Sequence, residues 1–101
     1  MPKLASISVD VDSLHHYLRI HGNAAADADR TVWKVAMPRF RELFHAHDIR
    51  ATFFVVGEEA AGNVELLRAL VGEGHEIANH SCRHLYDLWR QPASVQRDEI
   101  A

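Results

Sequence analysis

Ala51-Thr-Phe-Phe-Val-Val56 is the stretch that most narrows the folds open to this chain. It carries no charge, is rich in β-branched and aromatic side chains, and stops at Gly57. A strand with one wet face alternates apolar and polar residues. A continuous run reads instead as a strand buried on both faces, the usual condition of parallel sheets.

The flanking segments agree with a parallel α/β fold. Leu4 to Val11 alternates, with Ala5, Ile7, Val9 and Val11 on one face and Ser6, Ser8 and Asp10 on the other, so the spacing predicts a strand with acids at its exit end. Residues 13 to 30 hold no stable period and include Gly22 and Asn23, which predicts a long excursion with room for a short helix. From Thr31 to about His47, Val32, Ala36, Phe40, Leu43 and Phe44 follow the three-four spacing of an amphipathic helix. Pro38 falls inside it, and an interior proline removes a hydrogen bond and clashes one turn back, so a kink or a restart is expected there.

Asn63 to Glu73 predicts a second helix, with Val64, Leu67 and Val71 on one stripe, Leu66 and Leu70 beside it, and Gly74 as the cap. A short strand, His75 to Ala78, then delivers Asn79 and His80 to its end, and a last helix begins after Pro92. The strand-helix alternation predicts parallel strands joined by right-handed crossovers.

At 101 residues the chain has room for one domain, small for a parallel α/β enzyme. A net charge of -3 supplies no basic footprint for nucleic acid. Cys82 is the sole cysteine, so no internal disulfide can form, and a filler role is favoured over a ligand role. No stretch reaches membrane-spanning length, and Met1-Pro2-Lys3 leads straight into the strand pattern without a signal-peptide core, so a cytoplasmic location is expected.

Asp10, Asp12, His80 and His84 all fall at or just beyond the C-terminal ends of predicted strands, the edge where parallel α/β proteins build their sites. One carboxylate and two imidazoles make a three-ligand metal site with a position open to water, and a spare carboxylate can serve as its base. Either half alone is weak. Asp10 can simply end a strand while Asp12 caps a turn, and in a chain with eight histidines one His-x-x-x-His spacing arises easily by chance. If that segment is helical, residues four apart come within about 5–6 Å at Cβ, close enough to share an ion. Both halves at one sheet edge favour a metal-dependent hydrolase.

The remaining histidines have blander readings. His75 is expected to be a structural hydrogen-bonding residue, and His15, His16 and His21 to be exposed in the first loop beside Tyr17. His45 and His47 suit the negative end of a helix, and Trp33 is expected to pack.

Ser8-Val-Asp-Val-Asp12, Ala51-Thr-Phe-Phe-Val-Val-Gly57 and Gly74-His-Glu-Ile-Ala-Asn-His-Ser-Cys-Arg-His84, in that order, resemble the polysaccharide deacetylases, carbohydrate esterase family 4 with its NodB homology domain. The resemblance implies a distorted parallel (β/α) barrel, of which residues 1–101 would hold the first three βα units as a partial domain. It implies Asp10 as catalytic base, and Asp12, His80 and His84 as ligands of a divalent metal ion, most often zinc. The implied reaction is hydrolysis of the C–N amide bond of an N-acetylated sugar or polysaccharide, with water on the ion as nucleophile. Tyr86 and Trp89, just after the histidines, would then be candidates to line a sugar groove.

Two departures stand out. Asp10-Val11-Asp12 replaces the family's usual adjacent Asp-Asp-Gly, as in an Asp-x-Asp subgroup with different substrates. The later arginine-proline, aspartate-tryptophan and leucine-histidine segments, the last of which supplies the general acid, are not found. The expectation is a fragment of a longer enzyme, with an unpaired sheet edge and uncovered apolar surface. The alternative is a non-catalytic metal-binding or interaction fragment.

Overall fold

The computed structural model describes residues 1–22 and 30–101. The part of the first excursion that holds Asn23 lies outside the described residues. Three strands, β1 (Ser8–Val11), β2 (Thr52–Val55) and β3 (Glu76–Asn79), form one parallel sheet in the order β1-β2-β3. Ser8, Thr52 and Glu76 stand in register at one end, and Val11, Val55 and Asn79 at the other. The chain is therefore α/β, with the ends of its three strands side by side.

β1 is shorter than its alternating pattern predicts. Its ladder begins where the Thr52 N–H donates to the Ile7 carbonyl at 3.0 Å, and residues before it have no strand to pair with. Leu4 and Ile7 are consequently exposed. The period of two was present, but pairing is what makes a strand, and β2 supplies only four partners.

Helices α2 (Met37–Ala46) and α4 (Val64–Gly72) cover one sheet face. Val11, Phe53 and Val55 pack there against Trp33, Met37, Phe44 and Leu70, with Val9 and Ile77 at the margin. The opposite face carries exposed Ser8, Asp10 and Glu76 and a half-buried Phe54. Burial of β2 on both faces is thus corrected: one face is sealed and the other is partly open.

Pro38 does not begin a new helix: Thr31, Ala36 and Met37 all keep right-handed helical backbone, the Met37 N–H donates to the Val32 carbonyl, and a π-helical stretch, Val32–Ala36, runs straight into α2 just before the proline. In α4 the buried position is Leu70, while Val64 and Val71 are exposed, so the helix sits rotated toward the Leu66/Leu70 side of the expected stripe. Gly74 follows with φ +93°, and the His75 N–H reaches back to the Leu70 carbonyl at 3.0 Å, a left-handed close that suits glycine. His75 is structural as expected: its Nδ1 accepts the Ala51 N–H at 3.1 Å, between the rings of Phe44 and Phe53.

Three short elements complete the frame: α1 (Leu14–Ile20), α3 (Gly57–Ala60) and, toward the C-terminus, α5 (Ala93–Ile100). Among the described residues no helix is long and apolar enough to cross a membrane.

Phe53 is fully buried at the centre of this packing. Phe53→Ala is expected to cost about 3–5 kcal/mol, read as the urea unfolding free energy, whereas Val35→Ala, at an exposed position, should change it by under about 0.5 kcal/mol.

Candidate metal centre

The segment after β3 is a loop, not the helix that would have set the His80–His84 spacing. Its shape comes from two left-handed residues, Ser81 (φ 61°) and His84 (φ 57°). Non-glycine residues adopt that conformation at a cost of about 1–2 kcal/mol each, so the loop must be held. Asn79 Oδ1 accepts the Ser81 N–H at 2.7 Å, and Ser81 Oγ accepts the His84 N–H at 3.0 Å. From the start of α3, the N–H groups of Gly57 and Glu58 donate to the carbonyls of Ser81 and Cys82 at 2.9 and 2.8 Å.

This approach is tight. A Cβ on Gly57 would lie 3.2 Å from the Cys82 Cα, which explains why α3 opens on glycine. Cys82 itself is exposed and belongs to no donor cluster among the described residues.

The third support is Glu99, 2% exposed, on α5. Its carboxylate accepts the Arg83 N–H at 2.8 Å and pairs with the Arg83 guanidinium, while its carbonyl accepts the Cys82 N–H at 2.8 Å. Burial pushes the Glu99 carboxyl up, but the bonds from the Arg83 backbone and guanidinium outweigh it and hold the group below the ordinary carboxylate value. Nothing in the sequence marked Glu99, whose partners lie 16 residues away.

The loop brings His80 Nε2 and His84 Nε2 to 3.1 Å. Asp12, just past the end of β1, completes the group: its Oδ1 is 3.0 Å from His80 Nε2 and 3.4 Å from His84 Nε2. Two ring nitrogens facing one another can share at most one proton, and Asp12 Oδ1 is buried with no hydrogen-bond partner. Donors on a tetrahedral ion with bonds of about 2.0–2.1 Å lie about 3.3–3.4 Å apart. The three atoms match that spacing, so these residues fit a divalent ion. His84 Nδ1, however, is buried and unpartnered, so the outer hydrogen bond that orients most metal-bound imidazoles is not made.

Asp10 is not part of this group. It lies on the open face of β1, in register with Phe54, and its carboxylate makes no hydrogen bond or ion pair among the described residues. Tyr86 meets the His84 ring edge-on, with centroids 4.6 Å apart, and lines a cleft of about 520 Å³ with His16, Glu58 and His84. Trp89 is exposed and does not line that cleft. Burial, Asp12 and Tyr17 raise the Tyr86 phenol, which stays a neutral donor.

The first-loop histidines divide. His21 is exposed as expected, but His15 and His16 are buried, which corrects their reading as solvent-exposed. Residues 14–20 form a helix whose imidazoles turn inward while Leu14, Tyr17 and Ile20 face out. Apolar spacing gave no warning, because here the polar residues hold the inner face. Trp33 packs as expected, with its indole N–H donating to Glu59 at 3.3 Å.

A carboxylate and two imidazoles at the C-terminal edge of a parallel sheet define a class of α/β protein equipped to hold a metal ion. The polysaccharide deacetylase family model matches residues 27–101, and the chain belongs to that family. The match includes both histidines but starts after Asp10 and Asp12. A chitooligosaccharide deacetylase of Bradyrhizobium sp. is 45% identical over 64 residues, covering 62% of this chain and 28% of the relative. Similar too are a peptidoglycan-N-acetylglucosamine deacetylase of Bacillus cereus, 39% identical over 49 residues (48% of this chain, 23% of the relative), and the peptidoglycan-N-acetylmuramic acid deacetylase PdaA of Bacillus subtilis, 33% identical over 63 residues (62% and 24%). The chain thus spans about a quarter of the length of these relatives. No solved structure matches significantly.

The lowered Glu99 carboxyl fixes the sign of one pH effect. Its contribution to stability is complete above the ordinary value of 4.5 and is lost as pH falls through the lower folded value. Thermal unfolding should therefore show the wild type losing stability below about pH 4.5, with Glu99→Gln less stable at neutral pH and its curve flatter across the acid range.

Proposed function

We propose that the chain carries the metal-binding and base residues of a metal-dependent sugar N-deacetylase, and that β1–β3 are strands of a distorted parallel barrel. The observation that carries the reading is the convergence of Asp12 Oδ1, His80 Nε2 and His84 Nε2 within 3.0–3.4 Å, with the carboxylate oxygen buried and its contacts among the described residues being those two ring nitrogens. Family membership and the chitooligosaccharide and peptidoglycan deacetylases among the relatives support an N-acetylated sugar as substrate. The parallel strand order and the site's place at the C-terminal edge support the barrel.

Asp12, His80 and His84 would hold the ion, and two imidazoles with one carboxylate favour zinc. Bound there, a divalent ion polarises an amide carbonyl and lowers the pKa of water. Asp10, which makes no hydrogen bond or ion pair among the described residues, would accept the proton of the attacking water. Tyr86, a neutral phenol beside His84, offers a flat apolar face and a hydroxyl donor to a sugar ring in the cleft. The Asn79, Gly57 and Glu99 contacts keep both imidazoles in place before substrate arrives, so positioning requires no loop rearrangement.

Two measurements test this. Zinc counting on purified protein should fall by one ion per chain in Asp12→Ala and in His80→Ala and stay unchanged in Asp10→Asn. Acetate release from a chitooligosaccharide should drop about 10²–10⁴-fold in Asp10→Asn. Equal zinc in all variants would reject the ligand set; zinc binding with no acetate release by the parent would favour the non-catalytic metal-binding reading.

A further inference from the structure

We propose a second divalent transition-metal site, built by His15 and His16 of α1 and Glu58 of α3, distinct from the Asp12/His80/His84 centre. A donor atom from each of the three lies within 4.8 Å of the others. His15 and His16 are 5% and 4% exposed, and His15 Nδ1 and His16 Nε2 are buried with no hydrogen-bond partner. His16 Nε2 is 4.0 Å from Glu58 Oε1.

The way α1 is turned is the strongest argument. A seven-residue helix that buries two imidazoles while exposing Leu14, Tyr17 and Ile20 reverses the normal partition of side chains. A buried polar atom without a hydrogen bond costs about 1–3 kcal/mol; among the described residues His15 Nδ1 has none, and His16 Nε2 has only the longer contacts to Glu59 and Glu58 at 3.5 and 4.0 Å. Neighbouring residues on a helix point about 100° apart, yet these rings meet at 4.1 Å between centroids, bringing both toward the same carboxylates.

Glu59 supplies the outer frame. It accepts from the Ser13 hydroxyl and the Trp33 indole, and its unpartnered Oε2 faces His16 Nε2 at 3.5 Å. Glu58 and Glu59 are the carboxylates that face the two imidazoles, while Arg19, Arg30 and Lys34 line the same cleft, so it is the donor atoms and not net charge that favour an ion. Two imidazoles and a carboxylate suit zinc, cobalt or nickel more than magnesium or calcium. His16 and His84, whose centroids are 5.8 Å apart, line the same cleft, so the two sites are neighbours.

The test is metal counting by equilibrium dialysis against zinc, with cobalt(II) absorption as a second readout of donor type. The parent should bind two ions per chain. Asp12→Ala/His80→Ala should retain one, with a cobalt spectrum of imidazole and carboxylate donors, and adding Glu58→Gln to that pair should remove it. Glu58 is exposed enough that its substitution leaves packing intact, which circular dichroism checks; His16→Ala alone should bind one. Binding of one ion by the parent and none by Asp12→Ala/His80→Ala overturns the second site while leaving the first standing. Two ions in both parent and Asp12→Ala/His80→Ala would instead reject the first ligand set.

Discussion

Two backbone hydrogen bonds, from the N–H groups of Gly57 and Glu58 to the carbonyls of Ser81 and Cys82, hold the whole functional edge together. Gly57 and Glu58 open α3 directly after β2, and Ser81 and Cys82 lie in the loop after β3. The contact fixes His80 and His84 on one side and Glu58 and Glu59 on the other. Because a Cβ at position 57 would press on the Cys82 backbone, the two segments approach only with glycine there. Each N–H is also one that a helix start leaves without an internal acceptor, so the loop carbonyls satisfy donors that would otherwise need water or a cap.

The unmet polar atoms have a pattern. Among the described residues, the buried side-chain atoms that make no hydrogen bond are Asp12 Oδ1, His84 Nδ1, His15 Nδ1, His16 Nε2 and Glu59 Oε2. Four of them belong to the two donor groups beside that contact, and the fifth, on Glu59, faces His16 at 3.5 Å. Folded proteins satisfy nearly all buried polar groups, so a concentration of exceptions marks where the fold gives up stability for something else. Elsewhere the accounts balance: buried His75 accepts a backbone N–H, and buried Glu99 takes an N–H and a guanidinium.

The parallel fold was legible because Ala51 to Val56 and the strand-helix alternation report on burial and order, which local sequence encodes. Asp12, His80 and His84 were legible as candidates because all three sit at strand ends, though the spacing argument assumed a helix. The loop meets the same need through two left-handed residues, and conformations held by tertiary bonds leave no periodic signal. For the same reason Glu99 and the inward-facing histidines were hidden: one acts across 16 residues, and the others bury against carboxylates from α3 rather than against an apolar stripe. The lengths of β1 and the one-sided burial of β2 depended on which neighbours exist to pair and cover, which no single segment states.

Two aspartates two residues apart thus come to have different chemistry on the proposed reading. Asp10 lies within β1, where the alternation of the strand turns it to the open face, away from the helices and from any donor. Asp12 lies past the last ladder residue, where the chain turns into α1 and the loop after β3 closes over it. A solvated, unpaired carboxylate is suited to taking a proton, and one pressed against two imidazole nitrogens is suited to holding a cation. The separation of roles follows from where pairing stops: had β1 continued through residue 12, Asp12 would share the open face with Asp10 instead of meeting His80 at 3.0 Å.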